Sequence, residues 1–268
     1  MSGPSRPEQC PIFLINLPSS RDRLANAERQ LSAAGLAFER IDAVDGRRMP
    51  SEELSALCPD NSRHFYSPLT PGEVGCYLSH LKALRLMLDR GMERCVVFED
   101  DFMLEPGFAR CLSELLALGE GLPDMVKMYG ARKRGQVVGR LPCGAVLVRS
   151  SSPPICSTCT LWTSRGARKL LAASAPMHRP IDVQLKHWWE EELDILWVAP
   201  PPVTDSPVLM AASTIGSRKV TSAAGRVRKM RYRWGYALER EFRCISRHGL
   251  GGWLRSFTPV PRSARRTP

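Results

Sequence analysis

Cys95-Val96-Val97-Phe98-Glu99-Asp100-Asp101 is a run of apolar and β-favouring residues that leads directly into three carboxylates. An apolar run this short suits a buried strand in a parallel sheet, covered on both faces by helices. Ligands of open α/β sheets gather beyond the carboxyl ends of the strands. Three acids ending such a strand therefore mark the mouth of a site, where their repulsion calls for a cation. Hard oxygen ligands suit Mg²⁺ or Mn²⁺, and a cation held by one or two carboxylates completes its shell with phosphates. An acidic, solvated turn without a ligand is the competing reading.

Upstream, Ile12 to Leu17 reads as a first strand, and Ser19 or Ser20 can cap the helix that follows. Leu24, Ala27, Leu31 and Ala34 fall on one helical face and Gly35 ends it, so a strand over Leu36 to Ile41 completes a βαβ unit. Asn16, Arg21, Arg23, Asp42 and Asp45 are then expected around its carboxyl edge, with Arg21 and Arg23 placed to face a diphosphate or, alternatively, solvent. Residues 49–67 read as an irregular surface segment. Thr70-Pro71-Gly72-Glu73 forms a capping box with proline in the first turn, which accounts for Glu73 without a catalytic role. Val74, Tyr77, Leu78, Leu81, Leu84 and Leu88 make the stripe of that helix, leaving Ser79, His80 and Lys82 off it and available to a ligand.

Downstream, a helix is expected over Phe108 to Leu118, a strand from Asp124 to Tyr129 and an exposed basic loop over Arg132 to Arg140. Further strands are expected at Gly144 to Arg149, Cys159 to Thr163 and Leu193 to Ala199. Ser164 would cap one helix, and Pro180 would open another running to about Glu192. Lys127 contacts the acids in one reading and is solvated in the other.

The 268 residues carry a net charge of +11, unevenly placed. Residues 217–268 hold fourteen Lys or Arg against Glu239 and Glu241, a surplus of +12 that leaves residues 1–216 at −1. High pI therefore says nothing about the ligand of the body. Met230, Trp234, Leu238, Phe242 and Ile245 keep helical spacing amid the tail's arginines, as in a helix lying in a membrane interface; a disordered basic extension is the alternative. Nucleic acid is not expected as a partner, for want of a reading motif. Nine cysteines without a disulfide-like framework, and no apolar signal segment in Met1 to Gln9, fit a reducing, cytoplasmic setting. The lone Cys156-Ser157-Thr158-Cys159 lacks a second ligand pair for zinc.

In order along the chain, these blocks resemble glycosyltransferase family 25. They are Ile15-Asn16-Leu17 with Arg21-Asp22-Arg23, Phe38 through Asp42-Ala43-Val44-Asp45-Gly46, and Gly72 through Leu84 followed by Glu99-Asp100-Asp101. Asp124-Met125-Val126-Lys127, Ser164-Arg165-Gly166-Ala167, Pro180-Ile181-Asp182, Pro201-Pro202-Val203 and Ser213-Thr214-Ile215 continue the order. Ser157-Thr158 and Leu161 depart from the family's Gly-Thr segment leading to Tyr, on what the resemblance makes the acceptor side.

The resemblance implies a GT-A-like α/β nucleotide-sugar-binding fold with a mainly parallel central sheet over residues 1–216, followed by a basic helical tail over 217–268. It implies a UDP-sugar donor, commonly UDP-galactose, with inversion at the anomeric carbon. Glu99 and Asp101 would hold Mn²⁺ or Mg²⁺, and Asn16, Arg21, Arg23, Asp42, Ser79, His80, Lys82, Asp100 and Lys127 would surround the donor. Asp182 would be the general base; as an acid in a helical first turn it is also explained by the helix dipole. The expected acceptor is a lipid-linked glycan of the lipopolysaccharide type, reached from the inner membrane face with the tail on anionic lipid. A nucleotidyltransferase of similar fold, or a non-catalytic basic binding protein, remain the alternatives.

Overall fold

The computed structural model describes residues 10–59, 64–130, 132–205 and 222–260. The strands are β1 (Ile12–Asn16), β2 (Glu39–Asp42), β3 (Arg94–Glu99), β4 (Phe102–Leu104), β5 (Met125–Lys127), β6 (Gln136–Arg140), β7 (Val146–Arg149), β8 (Cys159–Thr163), β9 (Ile195–Ala199) and β10 (Val203–Asp205). The helices are α1 (Arg21–Ala33), α2 (Ser51–Leu57), α3 (Pro71–Asp89), α4 (Phe108–Leu116), α5 (Ser164–Ala172), α6 (Ile181–Gln184) and α7 (Ala223–Arg255). Eight strands form one sheet in the order β2-β1-β3-β8-β5-β9-β7-β6, while β4 and β10 pair apart from it. The pairings run β2, β1, β3, β5, β9 and β6 in one direction and only β8 and β7 against them, so the sheet is mixed but mostly unidirectional.

Alternation along the buried strands builds two cores. Phe13, Ile15, Cys95 and Val97 face α3 and α5, joining Tyr77, Leu81, Leu84, Ala167 and Leu170. Ile12, Leu14, Val96 and Phe98 face the other way, onto Ala27 and Leu31 of α1 and Phe108, Leu112 and Leu115 of α4. Both faces of the central strands are thus covered, which is why β1 and β3 read as unbroken apolar runs.

Local expectations fail where packing overrides pattern. Residues 49–67 are not wholly irregular: Glu52 and Glu53 fall in the first turn of α2, where they complement the dipole, and the helix buries nothing fully. The basic stretch after Arg132 ends in β6, which pairs with β7 at the sheet edge. Gly135 is required before it, because a Cβ there would meet Val148 Cγ1 at 2.4 Å. The helix opened by Pro180 stops at Gln184. A 3₁₀ turn over Leu185–His187 follows, and Leu185, His187, Trp188, Trp189 and Glu191 are all buried. Thr163, not Ser164, caps α5, accepting from Gly166 N.

Tail helix α7 packs along the body through one face. Tyr236, Cys244 and Trp253 join the first core, Tyr232 meets Phe65 edge-on at 5.2 Å, and Arg247 donates to the Leu193 carbonyl at 3.0 Å. Trp234, Leu238 and Phe242, on the opposite face, are 66–70% exposed. The Ser213-Thr214-Ile215 block, Arg218, Lys219 and the last eight residues lie outside the described residues. Among the described residues no helix is long and apolar enough to cross a membrane.

Candidate active site

Because β1, β2, β3 and β5 run in parallel directions, their carboxyl ends bring Asn16, Asp42, Glu99 and Lys127 to one edge. Antiparallel β8 contributes from its amino end, so Cys156 and Thr158 arrive at the same edge. A small cavity of about 110 Å³ opens there, lined in part by Ser20, Arg23, Asp45, Cys76, Glu99 and Asp101. Its wall is tightly built: a Cβ on Gly75 of α3 would lie 2.4 Å from the Val44 carbonyl, and one on Gly46 only 1.8 Å from that of Pro71. Glycine at both positions lets the 44–46 turn sit against the start of α3. Ser79 locks the same contact, accepting from Val44 N at 2.8 Å and donating to Gly75 O at 2.6 Å.

The three acids divide their work. Asp100 is buried with both oxygens engaged, one accepting from Asn16 Nδ2 at 2.7 Å and the other from Arg23 Nη1 at 2.9 Å. Arg23 reaches Asp101 only at 3.7 Å. Burial first, then Glu99, pushes the Asp101 carboxyl up to about 6, so its negative charge is under-compensated. Glu99 meets His80 Nε2 at 3.0 Å and Cys76 Sγ at 3.9 Å. Asp101, short of positive charge, and Glu99 both line the cavity, and such a pair of carboxylates fits a divalent cation.

Across the edge, Lys127 is 1% exposed and donates to the Pro154 carbonyl at 2.7 Å. The solvated-lysine reading therefore falls. Burial pulls its ammonium down to about 8, against the opposing pull of Asp182 and Glu99. Asp182 sits in the first turn of α6, and burial raises its carboxyl above the usual range while Lys127 holds it down and Glu99 pushes it up. Lys127 and Asp182 thus set each other's charge, with Glu99 acting on both, a juxtaposition that a dipole-complementing surface acid would not have.

The remaining expected residues are less central. Arg21 is exposed outside the cavity lining, Asp42 is exposed and paired with Arg40 at 2.9 Å, and Lys82 donates to the Asp42 carbonyl at 2.8 Å. His80 is 2% exposed and faces Glu99 instead of open space. Cys76 lines the cavity and Cys156 lies within the field of Asp182 and Glu99, and neither reads as a functional residue in the sequence. Cys76 and His80 do stand one helical turn apart in the sequence, a spacing that signals shared placement on one face.

The family model described as "Glycosyltransferase family 25 (LPS biosynthesis protein)" matches residues 9–132, which include the cavity wall, α3 and all three acids. Residues 9–132 belong to glycosyltransferase family 25. Among curated family 25 relatives, "Procollagen galactosyltransferase 2" of Mus musculus is 35% identical over 132 residues, 47% of this chain and 21% of its own length. "Inactive glycosyltransferase 25 family member 3" of Mus musculus is 36% identical over 185 residues, 64% of this chain and 30% of its own. The chain thus spans well under half the length of these relatives, and similarity alone does not separate active from inactive ones. Among solved structures, a glycosyltransferase involved in glycosylation of the major capsid of PBCV-1 aligns at TM-score 0.42 and 10% identity, over 83% of this chain and 100% of that one, too loosely to bear on function.

Proposed function

We propose that the protein is a metal-dependent, inverting hexosyltransferase that moves galactose from UDP-galactose to a glycan acceptor. The observation that carries this reading is the pair Glu99 and Asp101, with Asp101 under-compensated, beside the buried Lys127–Asp182 couple at one strand edge. Mn²⁺ or Mg²⁺ on Glu99 and Asp101 would neutralise the charge developing on the departing UDP. Arg23, fixed by Asp100, lines the cavity and offers a further positive charge to the diphosphate. Asp182 is the proposed general base, taking the proton of the acceptor hydroxyl; a carboxyl with a raised pKa is a better base than an ordinary one. Lys127 keeps enough of it ionised to act.

The acceptor is proposed to be a lipid-linked glycan of the lipopolysaccharide type, in keeping with the family description. Residues 1–216 would carry transfer, and the 217–268 segment would rest on anionic lipid at the cytoplasmic face. Support for that last role is the outward stripe of Met230, Trp234, Leu238 and Phe242, flanked by Lys229, Arg233 and Arg243.

A donor screen tests the reading: UDP-, GDP- and CMP-sugars are offered with Mn²⁺ or with EDTA. UDP release from UDP-galactose that needs Mn²⁺ supports it. Pyrophosphate release would favour the nucleotidyltransferase, and no turnover of any donor would remove transfer altogether.

A further inference from the structure

Cys76, His80 and Glu99 form a cluster that hexosyl transfer by a hard cation does not require. Cys76 and His80 lie one turn apart on α3, and Glu99 ends the strand beside that turn. Their donor atoms, Sγ, Nε2 and a carboxylate oxygen, all fall within 4.8 Å of one another. His80 Nε2 and Glu99 Oε1 are 3.0 Å apart, and Cys76 Sγ and Glu99 Oε1 are 3.9 Å apart. Tetrahedral zinc with ordinary bond lengths separates such donors by about 3.3–3.6 Å. Small side-chain adjustments therefore suffice to enclose an ion.

We infer that Cys76, His80 and Glu99 form a binding site for a thiophilic divalent cation of the Zn²⁺ class, with its fourth position open toward the donor cavity. Thiolate and imidazole select such an ion, whereas Mg²⁺ and Mn²⁺ prefer all-oxygen surroundings. Three protein ligands with one open position is the arrangement of exchangeable zinc sites, not closed structural ones. Burial first, then the negative charges of Glu99, Asp182, Asp101 and Glu73, pushes the Cys76 thiol well up, and a dication bound there would offset that negative field. Binding exchanges the thiol proton for the metal, Cys–SH + M²⁺ giving Cys–S–M⁺ and a free H⁺, so affinity rises with pH. Cys76 and Glu99 both line the cavity.

Glu99 Oε1 faces Cys76 and His80, so an ion held there draws on the carboxylate that the proposed hard-cation pair also uses. Zn²⁺ therefore withdraws Glu99 from the hard-cation pair and inhibits transfer, a consequence that rests on the proposed function, whereas the binding site does not.

Cobalt is the probe, because a thiolate–Co²⁺ bond gives a charge-transfer absorption in the near ultraviolet. The reduced, metal-stripped full chain is titrated with Co²⁺, then Zn²⁺ is added in competition. The expected result is a band saturating at one Co²⁺ per chain, bleached by Zn²⁺, retained in Cys58→Ser and absent in Cys76→Ser. Zn²⁺ affinity in Cys76→Ser should fall by more than about 100-fold, beyond the 10–100-fold typical of losing an outer-shell partner. Cys76→Ala stands in if the serine variant does not fold. No band at saturating Co²⁺, or a band that survives loss of Cys76, overturns the site. In Mn²⁺-dependent UDP release, Zn²⁺ should inhibit the wild type and inhibit Cys76→Ser far less. Binding without inhibition refutes only the competition for Glu99, and absence of donor turnover refutes only the transfer reading.

Discussion

Replacing Asp101 with asparagine should make the metal-free protein more stable at neutral pH, the reverse of what removing a functional residue from a well-paired network would do. The Asp101 carboxyl is pushed from 3.8 to about 6 by burial and by Glu99, with Arg23 only partly offsetting them. At about 1.4 kcal/mol per pKa unit, keeping it ionised in the fold costs up to about 3 kcal/mol. The sign follows from the raised folded pKa: the favourable protonated form is fully present below about 4, and its benefit is lost as pH rises through about 6. Asp101→Asn lacks the ionisation. Urea unfolding in EDTA should therefore show the variant gaining up to about 3 kcal/mol over wild type at pH 7.5, with the gain vanishing near pH 4. Adding Mn²⁺ with UDP should reverse the order, stabilising the wild type and not the variant, because only ionised Asp101 completes the pair with Glu99. A variant that is less stable than wild type at pH 7.5 in EDTA would refute the view that this acid lacks compensating charge.

Asp182→Asn should leave UDP binding intact and cut transfer by about 10²–10⁴-fold, the usual weight of a general base, as measured by initial rates with saturating donor. A loss of less than about tenfold would move the base elsewhere. Lys127→Met, which keeps the stem but not the charge, should raise the Asp182 pKa further and shift the acidic limb of the pH–rate profile to higher pH; an unmoved limb would uncouple the two residues. Trp234→Asp with Leu238→Asp should weaken binding to anionic vesicles by about tenfold or more while leaving UDP release unchanged, and equal pelleting of wild type and variant would show that this face is not the contact.

Point substitutions are needed for that last test because α7 is built into the body: truncation would uncover the core around Tyr236 and Cys244. Its outward stripe was legible as helical spacing, but the inward face was hidden among arginines. The strand-to-acid junction was equally legible, since Val96, Val97 and Phe98 are apolar on both faces and the carboxylates follow at once. So was the start of α3, where Thr70 N donates to Glu73 at 2.8 Å and Glu73 N donates to Thr70 Oγ1 at 3.3 Å, as the capping box requires.

What the sequence withheld depended on distant contacts. Lysine is ordinarily solvated, and nothing around Lys127 announces that Pro154, 27 residues on, accepts from its buried ammonium. Asp182 stands out only through the family block, since locally it is a first-turn acid and its partners, Lys127 and Glu99, come from strands far away in sequence. The antiparallel insertion of β8 between β3 and β5 likewise left no local trace, since a buried strand has the same composition in either direction. Cys76 reads as one residue in a motif, although the turn that separates it from His80 puts the two on one face.

The central claim, that a divalent cation on Glu99 and Asp101 holds the donor diphosphate, is tested most directly by calorimetric titration of UDP into the full chain with Mn²⁺ and with EDTA. UDP should bind with Mn²⁺, lose at least about tenfold in affinity in EDTA, and show no Mn²⁺ dependence in the double variant Glu99→Gln, Asp101→Asn. UDP binding of equal strength with Mn²⁺ and with EDTA in the wild-type protein would contradict it.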